Sequence, residues 1–418
     1  MNAFDRADMW RGAVPRLTFL PLVEYALAVI ALLLFSQALL GPLLADPEQP
    51  DASEALRLVW LPVYGVTLLL VAVRPLAVLD VMIRAWPLVA LALLAALSTF
   101  WSLDPDVTSR RALALAFTTL FGLWLAARFD WRGLLTVLAV TFAILMAGSA
   151  LAGALFPAFG VMHEIHPGAW RGLWWEKNTL GAMMGWAMLA FTGLAAFDAK
   201  RRLIWLALLA PAFALVLLST SRTALLAALI ALAGPMMIAM ARRDFTFGAM
   251  AVMAGLTGVG LAALVIAIGP MVLLEALGRD ATLTGRTDIW EALFRQMADR
   301  PLLGFGYGVF WQVENGPAFW VRQETVWPVP TAHNGWLETA LSMGLFGVAI
   351  AAIAYLGALI SAAWRLFSGN ETYWALTFLI MWGLISFSES NLAEQNSMMW
   401  VMFTATAAKL AQPRAAAP

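Results

Sequence analysis

The chain has 418 residues, 62% of them hydrophobic and 12% charged, with 26 basic and 26 acidic side chains. A mean hydropathy of +0.80 excludes a soluble globule and describes a polytopic membrane protein. The balanced charge contains no basic run that would bind nucleic acid, and the lack of cysteine excludes disulfides, thiolate nucleophiles and cysteine metal sites.

From the N-terminus, a window of about 19 residues separates twelve apolar segments, at 20–44, 56–73, 86–100, 110–127, 133–156, 177–197, 203–219, 223–240, 246–276, 334–363, 372–388 and 397–411. The first is too long for the core of a cleaved signal peptide and reads as a retained span. The ninth is interrupted at Gly269 and Pro270, which predicts a kink or an interfacial helix. No soluble domain fits between the segments and no repeat period shows. The expected architecture is therefore all-α: one membrane domain over 1–418 with about twelve transmembrane helices and a large polar loop over 277–333 containing short helices. Only the Ala/Pro tail after Lys409 reads as disordered.

Orientation follows from basic residues, because Lys and Arg in short loops resist translocation. Arg6, Arg11, Arg16, Arg74, Arg84, Arg128, Arg132, Lys200, Arg201, Arg202, Arg242, Arg243, Arg365, Lys409 and Arg414 fall in every second loop or at the termini, fifteen of the 26. The opposite short loops hold Arg57, Arg110, Arg111 and Arg222, and two of them are acidic through Asp46, Glu48, Asp51 and Glu54, and through Asp104 and Asp106. Both termini are expected in the cytoplasm. The long loops 157–176 and 277–333, with His163, His166 and His333, are expected outside it.

Three residues stand out chemically. Arg222, in Ser219-Thr220-Ser221-Arg222-Thr223, opens a span after almost no loop, so its guanidinium sits at the membrane boundary, as a functional group or as a snorkelling side chain. Arg286, in Gly285-Arg286-Thr287-Asp288-Ile289-Trp290, precedes a helix that Thr287 or Asp288 can cap, with Trp290, Leu293, Phe294 and Met297 forming an apolar face suited to the membrane surface. Beside helix N-terminal amides an Arg forms a pocket for phosphate oxygens, unless it merely pairs with Asp288 or Asp280. His333, in Thr331-Ala332-His333-Asn334-Gly335-Trp336-Leu337-Glu338, can accept a proton from a hydroxyl at ambient pH, the alternative being a capping or buried His.

Other features are read more plainly. His163 and His166 lack a third ligand for zinc. Among 20 tryptophans many are expected at the membrane interface, while Trp170, Trp174, Trp175, Trp311, Trp320 and Trp327 fall in the long loops, where flat faces can stack on sugars. Gly304-Phe305-Gly306-Tyr307-Gly308 lacks the strand and helix context of a dinucleotide fingerprint and reads as a tight turn against the membrane. Gly181 and Gly185 read as a helix-packing pair.

The order Glu176-Lys177-Asn178-Thr179-Leu180-Gly181, Ser219-Thr220-Ser221-Arg222-Thr223, Gly285-Arg286-Thr287-Asp288-Ile289-Trp290, Arg300-Pro301-Leu302-Leu303-Gly304-Phe305-Gly306, then His333-Asn334-Gly335 leading to Gly344-Leu345-Phe346-Gly347, resembles the O-antigen ligase and polysaccharide polymerase superfamily. Within it, the likeness is greatest to bacterial exopolysaccharide polymerases of the succinoglycan type. The resemblance covers about 171–347 plus an acidic stretch around Glu389. It implies an inner-membrane, metal-independent, inverting glycosyltransferase without cofactor, taking glycan from undecaprenyl pyrophosphate on the periplasmic face. It assigns Arg222 and Arg286 to the donor pyrophosphate and His333 to the acceptor hydroxyl, with Lys177, Asn178, Asn334, Trp290 and Glu389 as further substrate-binding candidates. Glu389 and Glu394 either hold an acceptor hydroxyl or pair with an Arg. The implied partners are lipid-linked glycan, a glycan acceptor, membrane lipid and a chain-length regulator protein. Polymerase and ligase share these motifs, and a flippase would instead carry its ionisable groups at mid-membrane.

Overall fold

The computed structural model describes residues 19–44, 54–164, 166–244, 246–250, 253, 284–313, 315–325 and 329–413, with positions 54, 57 and 284–287 described by backbone alone. Among these the chain is helical, and the one extended pairing is an isolated bridge between Val161 and Trp170. The helices are α1 (Leu20–Phe35), α2 (Leu40–Leu44), α3 (Glu54–Val73), α4 (Pro75–Arg84), α5 (Trp86–Leu97), α6 (Pro105–Arg128), α7 (Trp131–Leu155), α8 (Pro157–Gly160), α9 (Lys177–Phe197), α10 (Arg202–Ala207), α11 (Leu209–Leu218), α12 (Arg222–Ala241), α13 (Thr284–Met297), α14 (Pro317–Thr325), α15 (Gly335–Trp364), α16 (Thr372–Ser386) and α17 (Met398–Ala411).

Five of them, α6, α7, α9, α12 and α15, are long and apolar enough to cross a membrane, and a sixth span is possible if α3 and α4, bent by 99°, count as one. The chain is a membrane protein. The first apolar run is shorter than expected: α1 ends at Phe35, where Gln37 and Leu39 take positive φ. The break is held from outside, by Trp174 Nε1 on the Ser36 carbonyl and by the Leu39 N–H on Leu173. The stretch 74–85, expected as a loop, contains α4, because Pro75 sits in its first turn where its missing N–H costs nothing. The ninth apolar segment beyond Met253, including Gly269 and Pro270, lies outside the described residues.

Contacts divide the loops between two ends of the bundle. At one end basic side chains cap helix C-termini, whose last carbonyls have no intrahelical partner and carry the negative end of the helix dipole. Lys409 donates to Ala126 at 3.2 Å, Arg202 to Ala195 at 3.1 Å, Arg365 to Leu410 at 2.8 Å, and Arg242 to Leu366 and Gly369. The residues expected to hold loops in the cytoplasm thus also close the helices that finish at this end of the bundle. Glu24, 1% exposed, is held in this layer between Arg74 at 3.0 Å and Arg128. Glu24→Ala leaves two guanidinium groups facing an apolar core and is expected to cost about 3 kcal/mol, the low end for a broken buried pair because Arg74 keeps solvent contact. An unchanged unfolding midpoint in detergent would refute that role.

The core is aromatic. Trp124, Trp186, Trp374, Trp382 and Trp400 are fully buried, with Trp382 stacked on Phe403 at 4.2 Å and Trp374 on Phe378 at 4.9 Å. A substantial part of the tryptophan excess is therefore packing, not interfacial anchoring. Gly181 and Gly185 behave as expected, lying against Ser219 and Ala224 and against Ala227 where α9 meets α12.

Candidate active site at the end opposite the basic layer

His333 stands in a turn that its neighbours force. Asn334 caps α15, its side chain accepting from Trp336 N at 3.0 Å and Leu337 N at 3.2 Å. To enter that cap the chain turns through His333 at φ +48°, a left-handed conformation uncommon for a residue with a Cβ. The preceding residue is gripped on both sides. The Ala332 N–H donates to Glu338 at 2.6 Å, and its carbonyl accepts from Trp290 Nε1 at 2.9 Å. Glu338 is itself held by Trp311 Nε1, 3.1 Å from both carboxylate oxygens, and by Ser390 Oγ at 3.4 Å.

Trp290 belongs to α13, so this clamp ties the helix of Arg286 to the His333 turn. Position 286 lies four residues earlier, one turn along the same helical face. The helix starts at Thr284, so Arg286 is in its first turn and not ahead of it as expected. The Arg286 side chain lies outside the described residues. The apolar face expected to rest on the membrane surface is largely taken up by packing within the protein. Ile289 and Leu293 are buried in a second small core with Phe305, Phe310, Val321 and Leu341, while Phe294 is 56% exposed.

The glycine-rich segment is a strap between helices, not a turn against the membrane. α15 breaks at Gly344 (φ 63°, ψ −164°), which orphans backbone groups on either side. The strap supplies their partners: Phe305 N bonds Leu341 O at 2.8 Å, Gly306 N bonds Ser342 O at 3.1 Å, and Leu345 N bonds Pro301 O at 2.9 Å. Its other edge meets the link between α5 and α6, with Leu103 N on Phe305 O at 3.0 Å and Tyr307 N on Ser98 Oγ at 2.9 Å. The Tyr307 hydroxyl lies 2.6 Å from the Ala393 carbonyl, and burial pushes its pKa well above the usual phenol range.

Arg222 belongs to a neighbouring cluster. Ser221 caps α12 through Ala224 N at 3.4 Å, Thr220 has φ +51°, and Lys177 Nζ donates to Thr220 Oγ1 at 3.1 Å. Arg222 and Asn178 are exposed and Lys177 is half-buried. α12 runs antiparallel to α16, since Gly234 faces Thr377 and Arg242 covers the Tyr373 ring at 4.6 Å. The Arg222 end of α12 therefore lies beside the C-terminus of α16. That terminus also meets the His333 turn, with Trp336 Nε1 on Ser386 Oγ at 3.0 Å. A Cβ on Gly335 would stand 2.9 Å from Leu392 Cβ and 3.4 Å from the Glu389 carbonyl, so half-buried Glu389 adjoins the same turn. Arg222, Lys177, position 286, His333 and Glu389 thus share one end of the bundle.

All six non-glycine residues with positive φ among those described, Gln37, Leu39, Thr220, His333, Ala393 and Asn396, are at this end. Backbone strain costs about 1–3 kcal/mol per residue and concentrates at functional sites. Asn391, 6% exposed, leaves both side-chain polar atoms without a hydrogen-bond partner, a second departure from structural economy.

A cavity of about 170 Å³ opens beside the His333 turn, and its walls include Arg111, Tyr307, Trp311, Thr331, Glu338 and Glu394. Arg111 and Glu338 were not singled out from sequence. Their signal was present: a charged residue inside a predicted apolar segment, and a carboxylate one turn into a span, both costly unless partnered. Of the loop tryptophans expected to stack on sugars, Trp174 is buried, Trp170 packs on Gly153 and Trp175 on Gly41. Trp311 lines the cavity, Trp320 is 58% exposed and Trp327 lies outside the described residues. His163 faces the Pro157 carbonyl at 3.2 Å.

Glu338→Ala strips the acceptor from two N–H groups and frees the turn before His333. Displacement of about 1 Å costs up to roughly 10²-fold in rate, so turnover is expected to fall by that order while Glu338→Gln, which keeps an acceptor oxygen, recovers most of it. Equal activity in all three proteins would exclude a positioning role.

Residues 205–352 match a family described as O-Antigen ligase. Over this segment the chain is similar to the O-antigen ligase family. The segment contains Arg222, Arg286, Trp290, His333 and Asn334, whereas Lys177, Asn178 and Glu389 fall outside it. The chain is also similar to Exopolysaccharide production protein ExoQ of Rhizobium meliloti (strain 1021), at 26% identity over 299 residues, which cover 68% of this chain and 66% of the relative. It thus spans just under two thirds of that relative's length. The matched segment includes the break in α15, the strap and the peptide clamp, while the cavity takes further walls from α6 and the 390–395 loop.

Proposed function

We propose that the protein is a membrane glycosyltransferase that moves glycan from undecaprenyl pyrophosphate to a sugar hydroxyl on the periplasmic face, polymerising exopolysaccharide repeat units. The observation that carries it is the peptide clamp, in which Trp290 of the Arg286 helix and Glu338 together hold the residue before His333. The positions of an anion-binding Arg and a proton-accepting His are thereby made one unit, at the end where Arg222 also stands.

In the reaction, the acceptor hydroxyl oxygen attacks the anomeric carbon and the bond from that carbon to the pyrophosphate oxygen breaks. The hydroxyl proton passes to His333, and the leaving group departs as undecaprenyl pyrophosphate. Arg222 and Arg286, aided by Lys177, stabilise the growing charge on the diphosphate, the role a divalent cation serves in other transferases. Asn178, Asn334 and Glu389 line the approach of the sugar. Direct displacement inverts the anomeric configuration. The polyprenyl tail stays in lipid against the exposed apolar faces of the helices.

The membrane is the bacterial inner membrane, with both termini in the cytoplasm. The five long helices, the bent pair and five shorter apolar helices account for eleven of the twelve spans of this reading, and the remaining one, 246–276, lies largely outside the described residues. The basic layer then faces the cytoplasm, as positive residues do. Exopolysaccharide production by the relative favours polymerisation, and the family description favours transfer to lipid A core as the second reading. A chain-length regulator is the expected protein partner of a polymerase. Purified protein in nanodiscs, given lipid-linked repeat units with and without lipid A core, distinguishes the two: chain growth without the core supports polymerisation, and growth only on the core supports ligation. No glycan transfer under either condition would refute the proposal.

A further inference from the structure

One corner of the loop expected to be polar is apolar and exposed. Just ahead of the strap's buried Phe305 and Tyr307, Leu302 and Leu303 stand 54% and 40% exposed. Leu345 and Phe346, the first residues after the break in α15, are 53% and 52% exposed, and Phe100, in the short turn that follows α5, is 86% exposed. Hydrogen bonds fasten these three segments together: Leu345 N to Pro301 O at 2.9 Å, Phe346 N to Leu302 O at 3.3 Å, and Trp101 Nε1 to Leu303 O at 3.0 Å. An apolar patch of this kind marks a contact with lipid or with protein.

Continuity with the membrane-facing surface selects lipid. α15 is long and apolar enough to cross a membrane, and its exposed Phe346, Ile353, Leu356 and Ile360 recur at helical spacing along one face. On α5 the exposed Leu93 and Leu97 lead to Phe100 in the same way. Both faces run into the corner. From Leu345 to Trp364 the helix is about 30 Å long, the thickness of a hydrocarbon layer, so the corner at its start falls at the edge of that layer.

The backbone selects lipid independently. Carbonyls without a hydrogen-bond partner are barred from the hydrocarbon region, and here four in succession are satisfied. Arg300 O accepts from Gly304 N at 3.0 Å, and the carbonyls of Pro301, Leu302 and Leu303 take the three bonds just described. A loop surrounded by water needs no such pairing. The exposed Arg300 adjoins this corner and donates to Trp101 O at 3.0 Å, the charged head beside apolar surface that suits a lipid and water boundary.

We infer that the Arg300–Leu303 corner is inserted into the acyl layer of the leaflet at the active end, and that its partner is the lipid chains of that leaflet. The strap is thereby anchored to the bilayer between α5 and α15, which fixes the depth of the His333 turn. The inference stands apart from the glycosyltransferase reading and needs only that α15 crosses the membrane.

The chain contains no cysteine, so single positions can be labelled in the full protein. Leu303→Cys, Ile353→Cys about 12 Å further along α15, and Lys200→Cys at an exposed position of the opposite end each carry a bimane fluorophore in nanodiscs. The nanodisc lipids bear a nitroxide quencher near either the carbonyl end or the methyl end of the acyl chain. Position 303 loses fluorescence mainly to the quencher near the carbonyl end, position 353 mainly to the one near the methyl end, and position 200 to neither. Emission from position 303 is also shifted to the blue of position 200. Leu302→Cys repeats the measurement, so loss of fold in one variant does not decide the outcome. Quenching of both 302 and 303 by aqueous iodide as complete as at position 200 places the corner in water and overturns the inference. Protection of both from iodide and from either nitroxide shows that a second copy of the chain covers the patch, which overturns it equally. Glycan transfer plays no part in this readout, so failure of the proposed reaction leaves the result unchanged.

Discussion

Arg222→Ala and Arg286→Ala are each expected to lower glycan transfer by about 10²–10³-fold, the loss seen when one preorganised donor to a developing negative charge is removed. In the proposed reaction the charge grows on a diphosphate leaving group, so the effect is expected mainly on the rate at saturation and not on acceptor affinity. Lysine at either position restores the charge but not the two-pronged hydrogen bonding of a guanidinium, and recovery is partial. Arg222 is exposed at the start of α12, with Ser221 rather than the Arg making the cap, so its loss leaves the helix intact. Full turnover in both alanine variants, measured with lipid-linked donor, would remove the donor site from these residues. His333→Ala gives an independent reading, because a positioned base contributes about 10²–10⁴-fold. A loss below about tenfold would leave the anion site standing and withdraw proton acceptance from His333.

Gly344→Ala is expected to prevent assembly of the active end altogether. Gly344 combines φ 63° with ψ −164°, a region that residues with a Cβ avoid, and a Cβ there would sit 2.2 Å from the carbonyl carbon and oxygen of Leu302. No side-chain rotation relieves a collision with backbone. The strap must move, which forfeits its hydrogen bonds to Leu341, Ser342 and Leu345, and the total exceeds about 3 kcal/mol. Gly304→Ala meets the same joint from the other side, since its Cβ would lie 2.6 Å from the Leu341 carbonyl. Both variants should give a lowered unfolding midpoint in detergent and no transfer. A Gly344→Ala protein with the parent's midpoint would show that the break in α15 is not rigidly built.

The candidate site was legible where its signal was local. Arg222 follows a loop too short to leave the membrane boundary, and Asn334 is a helix cap by residue type, so both could be placed on their elements without tertiary information. Arg111 and Glu338 could not be assigned that way. Their meaning depends on Gly308, Trp311 and Ala332, which reach them only through packing, and a charged residue near a helix end has an innocent explanation in every membrane protein. The loop tryptophans misled for the same reason. An indole suits a sugar face or a protein core equally, and whether Trp174 meets Ser36 or solvent is decided by a helix break far away in the chain.

Membrane residence and all-helical architecture were determined by the sequence alone, because the cost of placing unpaired backbone in lipid leaves a long apolar chain little besides helices. The alternation of basic loops followed from composition too, since it needs only positions along the chain. Tertiary structure alone decided that α15 breaks at Gly344, that the glycine-rich strap satisfies the break, and that the Arg286 helix and Glu338 grip the peptide before His333. Those outcomes turn on hydrogen bonds between residues tens to hundreds of positions apart, and no local pattern records which distant partner a backbone group will find.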